Sequence, residues 1–383
     1  VTTAPSQPQP DASKPASRGH GPVLSIVVVN YDSWDDVTRL VRTLALAREI
    51  RCGEVDLVVV DNASPSTPSA NWMPVDHASS SLQLIARAEN GGFSAGVNDG
   101  WKSTTGRWLL LLNPDVEATA DLPRQVLERI ARYDSDTSSS PGIVGFALTD
   151  SDGTPQPSIG LWPNLIRLVL GQLRTRRTRK YRARRPPRAL HEVAWVTGAC
   201  LLVRRELLDA LNGMDEDFFL YYEEVALCAR ARAAGWPVAF DPALGVVHSR
   251  PLQSRALSPS LRLIVRHSQM LYYAKFRPAW EFRALTAIVR LEALAALMGR
   301  RLAGREVDAM GRSHQAVLRL ARRMRRGERP RGAEVRDQAL ALCRPGTGLR
   351  GPVRPDRALS RGPTTGPHQT PERSAETCGS RMD

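Results

Sequence analysis

RWLLLLNPDVE (residues 107–117) is the stretch whose reading decides the fold. Four consecutive leucines show neither the alternation of a half-solvated strand nor helical spacing, so they read as a strand covered on both faces. The run stops at Asn113-Pro114-Asp115, where proline cannot donate to a sheet ladder. Either this is an ordinary strand end, or the strand presents the Asp115 carboxylate to something positively charged.

Working outward, VLSIVVVN (23–30), VDLVVVDN (55–62) and LQLIAR (82–87) read as further buried strands. WDDVTRLVRTLALA (34–47) has helical periodicity, with Asp32 or Ser33 available as its cap, and GGFSAGVNDGWKST (91–104) opens on glycines and turns helical. This alternation predicts an α/β fold with a doubly wound, mostly parallel sheet. Ligands in such sheets bind beyond the carboxyl ends of the strands. Asn30, Asp61-Asn62 and Asp115 all fall at such ends.

Downstream, the apolar piece 159–173 runs into RTRRTRKYRARRPPR (174–188), which has nine Arg or Lys and no acid. VAWVTGACLLVRRELLDAL (193–211) resumes strand then helix, and YYEEVALCARARAAGW (221–236) is a helix with acids in its first turn, stopped by Gly235. PVAFDP and ALGVVHS read as two short strands. The expected organisation is a leader without structure (1–22), an α/β domain (23–258) and a basic helical extension (259–326). Within the domain a first half (23–150) and a second half (190–258) flank a basic insertion (159–189). Residues 327–383 read as a disordered tail.

Across 383 residues the formal net charge is +14, which points to an anionic partner, while only 6% aromatics argue against a base-stacking nucleic-acid platform. The five cysteines are scattered without metal-site spacing, so a reduced, cytoplasmic setting is expected. No apolar signal region is seen near residue 1, and the best apolar run, ALTAIVRLEALAALM (284–298), is too short to span a bilayer and carries Arg290 and Glu292.

The chemistry gathers around the strand ends. Asn90-Gly91-Gly92-Phe93, Gly96 and Asn98 put small residues where backbone can approach a ligand, at a helix N-terminus that favours phosphate. No GK[ST] follows, so this is not a P-loop, and the glycines do not follow the first strand as a dinucleotide fingerprint does. A carboxylate beside bound phosphates normally holds a divalent metal.

SIVVVNYDSWDDVTRLVRTL, VVVDNASP, ENGGFSAGVNDG, LLLLNPDVE, VTGACLLVRRELLDALNGMDEDFFLYYEEVALCARARAAGW and VVHS occur in this order. Together they resemble the family 2 glycosyltransferases of GT-A fold, and within them the rhamnosyltransferase-like branch that builds bacterial cell-surface glycans. The resemblance covers roughly residues 22–280. It implies a nucleotide-diphosphate-sugar donor, a glycan or polyprenyl-phosphate-linked acceptor, and Mg2+ or Mn2+. It implies that Asn30 and Tyr31 lie by the nucleoside, that Asp61 contacts base or ribose, and that Asn90, Asn98 and Asn113 line the donor pocket. Asn113-Pro114-Asp115 matches the family's short metal motif, making Asp115 the metal ligand, with His248 as a further metal or diphosphate contact. Trp195, Thr197, Gly198 and Ala199 match the segment lining the acceptor side. Arg250 and Arg255 would neutralise phosphate.

The family's base motif is a Glu-Asp pair at a helix start with a later acid. This chain reads Glu223-Glu224-Val225-Ala226, which makes Glu224 the expected base, with Glu223 beside it. The added methylene and the missing acid leave a second expectation open, a relative that binds nucleotide sugar or glycan without turnover. Asp215 and Asp217 are expected to shape the preceding loop. A nucleotidyltransferase would need a glycine- and lysine-rich loop after the first strand, which NYDSWDD lacks. Segment 174–188 reads as a solvated loop, a docking patch for anionic lipid that would make the protein peripheral on the inner face of the cell membrane, or, least, a nucleic-acid contact.

Overall fold

The computed structural model describes residues 21–70, 72–73, 81–135, 140–171, 189–249, 257–304 and 308–342. Among the described residues twelve strands and eleven helices follow in chain order: β1 (Leu24–Asn30), α1 (Trp34–Leu44), α2 (Arg48–Arg51), β2 (Val55–Asp61), β3 (Leu82–Ala86), α3 (Phe93–Ser103), β4 (Trp108–Leu112), β5 (Val116–Glu117), α4 (Leu122–Ser135), β6 (Ile143–Thr149), β7 (Pro155–Gln156), β8 (Ile159–Gly160), α5 (Leu165–Gly171), β9 (His191–Glu192), β10 (Trp195–Val196), β11 (Cys200–Arg204), α6 (Arg205–Leu211), α7 (Glu223–Ala233), β12 (Val238–His248), α8 (Pro259–Phe276), α9 (Ala279–Leu302), α10 (Ala309–Arg325) and α11 (Gly332–Ala341).

The main sheet runs β3-β2-β1-β4-β11-β6-β12-β5. Its first four strands are parallel, β11 enters antiparallel between β4 and β6, and β12 is again parallel to β6. Every residue of β1 and β4 is buried, as two-sided coverage by helices demands of so apolar a run. Side chains alternate between two cores. Val27, Val29, Leu109 and Leu111 face α3 and the C-terminal helices, while Leu24, Ile26, Val28, Leu110 and Leu112 face α1 and α4.

Three expectations change. The two short strands expected over 237–249 are one bent strand, β12, with an irregularity between Asp241 and Gly245. Pro242 cannot donate to the ladder there, and the buried Asp241 carboxylate is held off the sheet by Arg129 and Tyr133 of α4. The helices after 258 are not an appendage, since Leu263, Leu285, Val317 and Val335 share one core with Val27 and Leu111 of the sheet. Beyond Gly327 the chain does not dissolve into a tail at once. Val335, Ala339 and Leu342 bury one face of α11, and Gly332 lies so close to Phe219 that a Cβ there would sit 2.6 Å from its backbone nitrogen. The leader to residue 20, the Arg-rich stretch 174–188, Arg250, Arg255 and the chain beyond 342 lie outside the described residues.

Candidate active site

β4 ends at Leu112, and the Asn113 amide donates to the Ala199 carbonyl at 3.0 Å. The chain turns, Val116 donating back to Asn113 at 3.2 Å, and pairs as β5 with the last residues of β12. His248 lies opposite Val116, and Ser249 donates to the Asp115 carbonyl at 3.0 Å. The strand end thus delivers Asp115 to His248, with His248 Nε2 3.3 Å from Asp115 Oδ1. The Leu-Leu-Leu-Leu run is a rigid mount for that carboxylate.

These two residues floor a cleft of about 500 Å³. Tyr31 and Asn90 line one side, with Asn113, Thr197, Gly198 and Ala199 across the floor. Glu223 and Glu224 form part of the wall, both buried, at the first turn of α7. The two residues before them, Tyr221 and Tyr222, both hold φ of 68°. That left-handed turn is unusual for side-chain-bearing residues and reverses the chain sharply into the helix. Gly198 sits over Glu224: a Cβ on Gly198 would lie 3.7 Å from the Glu224 Cβ. The acid-bearing helix start therefore meets the Thr197-Gly198-Ala199 turn directly. Ala226, where the family pattern has a further acid, is fully buried, so this wall offers the cleft two carboxylates.

Several expected site residues take other roles. Asn30 is fully buried, and its amide donates to Asp61 Oδ1 at 2.9 Å while its carbonyl receives the Ser33 amide at 3.1 Å. Asp61 receives the Ser64 amide at 3.2 Å. The pair ties the β1 and β2 ends together, and neither residue is among those lining the cleft. Asn98 is spent inside the protein, bonding Met214 through both backbone groups at 2.7 and 3.0 Å and Glu216 at 2.7 Å. Trp195 is fully buried and donates to the Leu161 carbonyl at 2.9 Å, so it is core, not acceptor wall. Asp215 and Asp217 do shape their loop, both held by Lys275 at 2.6 and 2.7 Å. The small residues of 92–100 serve packing: a Cβ on Gly92 (φ +89°) would fall 2.3 Å from the Phe219 carbonyl oxygen, and one on Gly96 2.6 Å from Val29 Cγ1.

Two residues that sequence reasoning left unassigned organise the cleft. Asn62 donates to the Gly92 carbonyl at 2.9 Å and accepts from Gly91 at 3.1 Å, pinning the Asn90–Phe93 turn. Its place beside Asp61 at a strand end was the available signal. Gln156 grips His248. Its amide nitrogen donates to the His248 carbonyl and to Asp150, each at 2.6 Å, which leaves its oxygen facing His248 Nδ1 at 3.0 Å. Nδ1 must then donate, which leaves Nε2 as the ring nitrogen on the side of Asp115. Gln156 lies 92 residues from His248, and nothing local in the sequence announces the pairing.

A carboxylate oxygen and an imidazole nitrogen 3.3 Å apart can share a proton or, side by side, take a cation. Among the described residues no cluster of three or more His, Cys, Asp or Glu side chains could hold a metal. A carboxylate and an imidazole fit Mg2+ or Mn2+ in the manner of sites completed by substrate phosphates and water, not that of an all-protein cage.

The glycosyl transferase family 2 model matches residues 25–211. The chain is 29% identical over 277 residues to the N-acetylglucosaminyl-diphospho-decaprenol L-rhamnosyltransferase of Mycobacterium tuberculosis, covering 67% of this chain and 86% of that one. It is 27% identical over 250 residues to the low-salt glycan biosynthesis hexosyltransferase Agl10 of Haloferax volcanii, covering 63% and 71%. Among solved structures, the mannosyltransferase PcManGT from Pyrobaculum calidifontis, in complex with GDP-Man and Mn2+, aligns with a TM-score of 0.45 at 16% identity over 79% of this chain and 87% of that one. Residues 25–211 thus carry a glycosyl transferase family 2 domain, and the chain is similar in sequence to the rhamnosyltransferase-like branch of that family.

Proposed function

We propose that the protein transfers rhamnose or a similar hexose from a nucleotide-diphosphate donor to a lipid-linked glycan precursor, with inversion at the anomeric carbon. The observation that carries this reading is one cleft with Asp115 and His248 on its floor and Glu223-Glu224 on its wall. Asp115 and His248 would hold a divalent cation, which when bound would neutralise charge on the donor diphosphate. Tyr31 and Asn90 line the side where β1 and the N-terminus of α3 end, which suits the nucleotide part of the donor. Thr197 and Gly198, against the α7 start, suit the acceptor. Glu224 takes the proton of the acceptor hydroxyl as its oxygen attacks the anomeric carbon. The bond to the diphosphate breaks and its electron pair leaves with the nucleotide, so a single displacement inverts the centre. Similarity to an enzyme named for a decaprenyl-diphosphate-linked N-acetylglucosamine supports a lipid-linked acceptor and an L-rhamnose donor.

The test is a donor screen. The protein is incubated with dTDP-, UDP- and GDP-sugars, a lipid-linked glycan extract, and Mg2+, Mn2+ or chelator, while released nucleoside diphosphate is counted and the product anomer is read by NMR. Release from one donor that needs metal, is lost in Asp115→Ala and falls by about 10²–10⁴-fold in Glu224→Gln is expected. If Glu223→Gln loses activity and Glu224→Gln does not, the base is Glu223. If one donor raises the melting temperature yet no donor is turned over, the chain is a non-catalytic binder.

A further inference from the structure

We propose that the outer face of α9 is a docking surface for an anionic membrane. The helix has two apolar faces. Phe282, Leu285, Val289 and Ala293 point into the core. Trp280, Leu291, Leu294, Met298 and Leu302 are 58, 65, 45, 65 and 83% exposed. At about 100° per residue these five fall within a sector of about 80°, opposite the buried face, and run for about 33 Å along the axis. Leu291, Leu294, Met298 and Leu302 make an apolar patch facing water, with Trp280 further along the same side, and such a patch marks an interaction surface.

Charge selects the partner. Arg283 and Arg301 are exposed and lie on the same edge of the stripe by helical position. The two acids of α9 are on its inner side and already paired, Glu281 with Arg277 and Glu292 with Arg266. The neighbouring helix α5 is tied to this end, Leu165 donating to Glu281 at 3.0 Å, and it exposes Ile166. The sequence that follows α5 carries nine Arg or Lys between 174 and 188. Tryptophan and leucine on one face with arginine on its edge is the pattern of a helix lying in the headgroup region. Such a helix rests on a bilayer. Among the described residues no helix is long and apolar enough to cross one. A second copy of this chain, with its own net charge of +14, fits the arginine edge less well than an anionic leaflet does. Docking deepens the proposed reading, because a lipid-linked acceptor is presented at such a surface.

The test floats the full chain with vesicles of phosphatidylcholine, with and without phosphatidylglycerol. Wild type is expected to float with the anionic vesicles. Leu291→Glu with Met298→Glu should lower the bound fraction by about tenfold or more, at unchanged circular dichroism and melting temperature because both positions are exposed. Brominated lipid should quench fluorescence in wild type and quench it less in Trp280→Phe. Three outcomes overturn the proposal. Wild type fails to float. The double variant floats as well as wild type while neutralising the basic residues of 174–188 abolishes flotation, which assigns docking to that segment. Or light scattering finds a dimer that the double variant splits, which assigns the face to a second copy. Nucleoside diphosphate release without vesicles is measured on both proteins in parallel, so a failure of sugar transfer is read separately from a failure of docking.

Discussion

Asp115 and His248 meet because β5 and β12 pair, and Gln156 decides which nitrogen His248 offers. The amide of Gln156 has acceptors on its nitrogen side, the His248 carbonyl and Asp150, so its oxygen has only Nδ1–H to receive. Removing Gln156 frees the ring to take the other tautomer and turn its protonated nitrogen toward Asp115. Outer-shell partners of metal-binding histidines typically change metal affinity by about 10–100-fold. Gln156→Ala is therefore expected to weaken Mn2+ binding by about that factor, read as free Mn2+ by electron paramagnetic resonance, with the melting temperature of the metal-free protein little changed. Equal Mn2+ affinity in both proteins would remove Gln156 from this role. Asn62 acts on the other side of the cleft in the same indirect manner. Asn62→Ala should loosen the Asn90–Phe93 turn and raise the donor KM more than it lowers kcat, since its side chain is bonded to the backbone of Gly91 and Gly92.

At the level of elements, α3 lies on the sheet at a distance only glycine permits. A Cβ on Gly96 would reach within 2.6 Å of Val29 Cγ1, and one on Gly100 within 2.4 Å of Val27 Cγ1. Overpacking of this kind costs about 1–3 kcal/mol. Gly96→Ala should lose that much in urea denaturation, and Val29→Ala in the same chain should recover part of it, a coupling of about 0.5–3 kcal/mol between contacting residues. Strictly additive losses would mean that α3 shifts bodily and that the contact is soft. The same glycines show what was legible in the sequence. The strands β1, β2 and β4, the helix α3 and the end positions of Asp115 and Glu224 were readable because each is written in a local pattern: a β-branched run, a glycine-opened helix, a pair of acids in a first turn. Why the glycines are there was not readable, since the demand comes from Val27, Val29 and Phe219, remote in the chain. Asn98 and Trp195 failed as site residues for a related reason. A polar or aromatic residue near a motif looks the same whether it faces the cleft or satisfies the core, and only the Met214 and Leu161 backbone groups decide. The segment after Gly327 was read from its proline and arginine content, which hid the short apolar repeat Val335, Ala339, Leu342.

On the scale of the whole molecule, the C-terminal helices close the back of the cleft. Ser268 of α8 donates to the Leu220 carbonyl at 2.8 Å, and Arg336 of α11 donates to the Asn90 carbonyl. Both walls of the cleft thus rest on residues far along the chain, and α8 must stay joined to the segment that leads into α11. His267 makes that joint. It is fully buried, and its Nε2 donates to the Pro330 carbonyl at 2.8 Å. Burial pushes the imidazole down from 6.5 to about 4. A folded pKa below the unfolded one means that the unfolded chain binds the extra proton between these values. The stability His267 contributes is therefore complete above 6.5 and is lost as pH falls from 6.5 toward 4. For a gap of this size the loss between about pH 7 and about pH 5 is about 2 kcal/mol. His267→Gln keeps a donor for the Pro330 carbonyl and does not titrate. Urea denaturation of both proteins at the two pH values should find the wild type losing about 2 kcal/mol more than the variant on acidification. If both lose the same amount, His267 is not the group through which acid loosens the C-terminal helices, and the carboxylates of the ion pairs become the place to look.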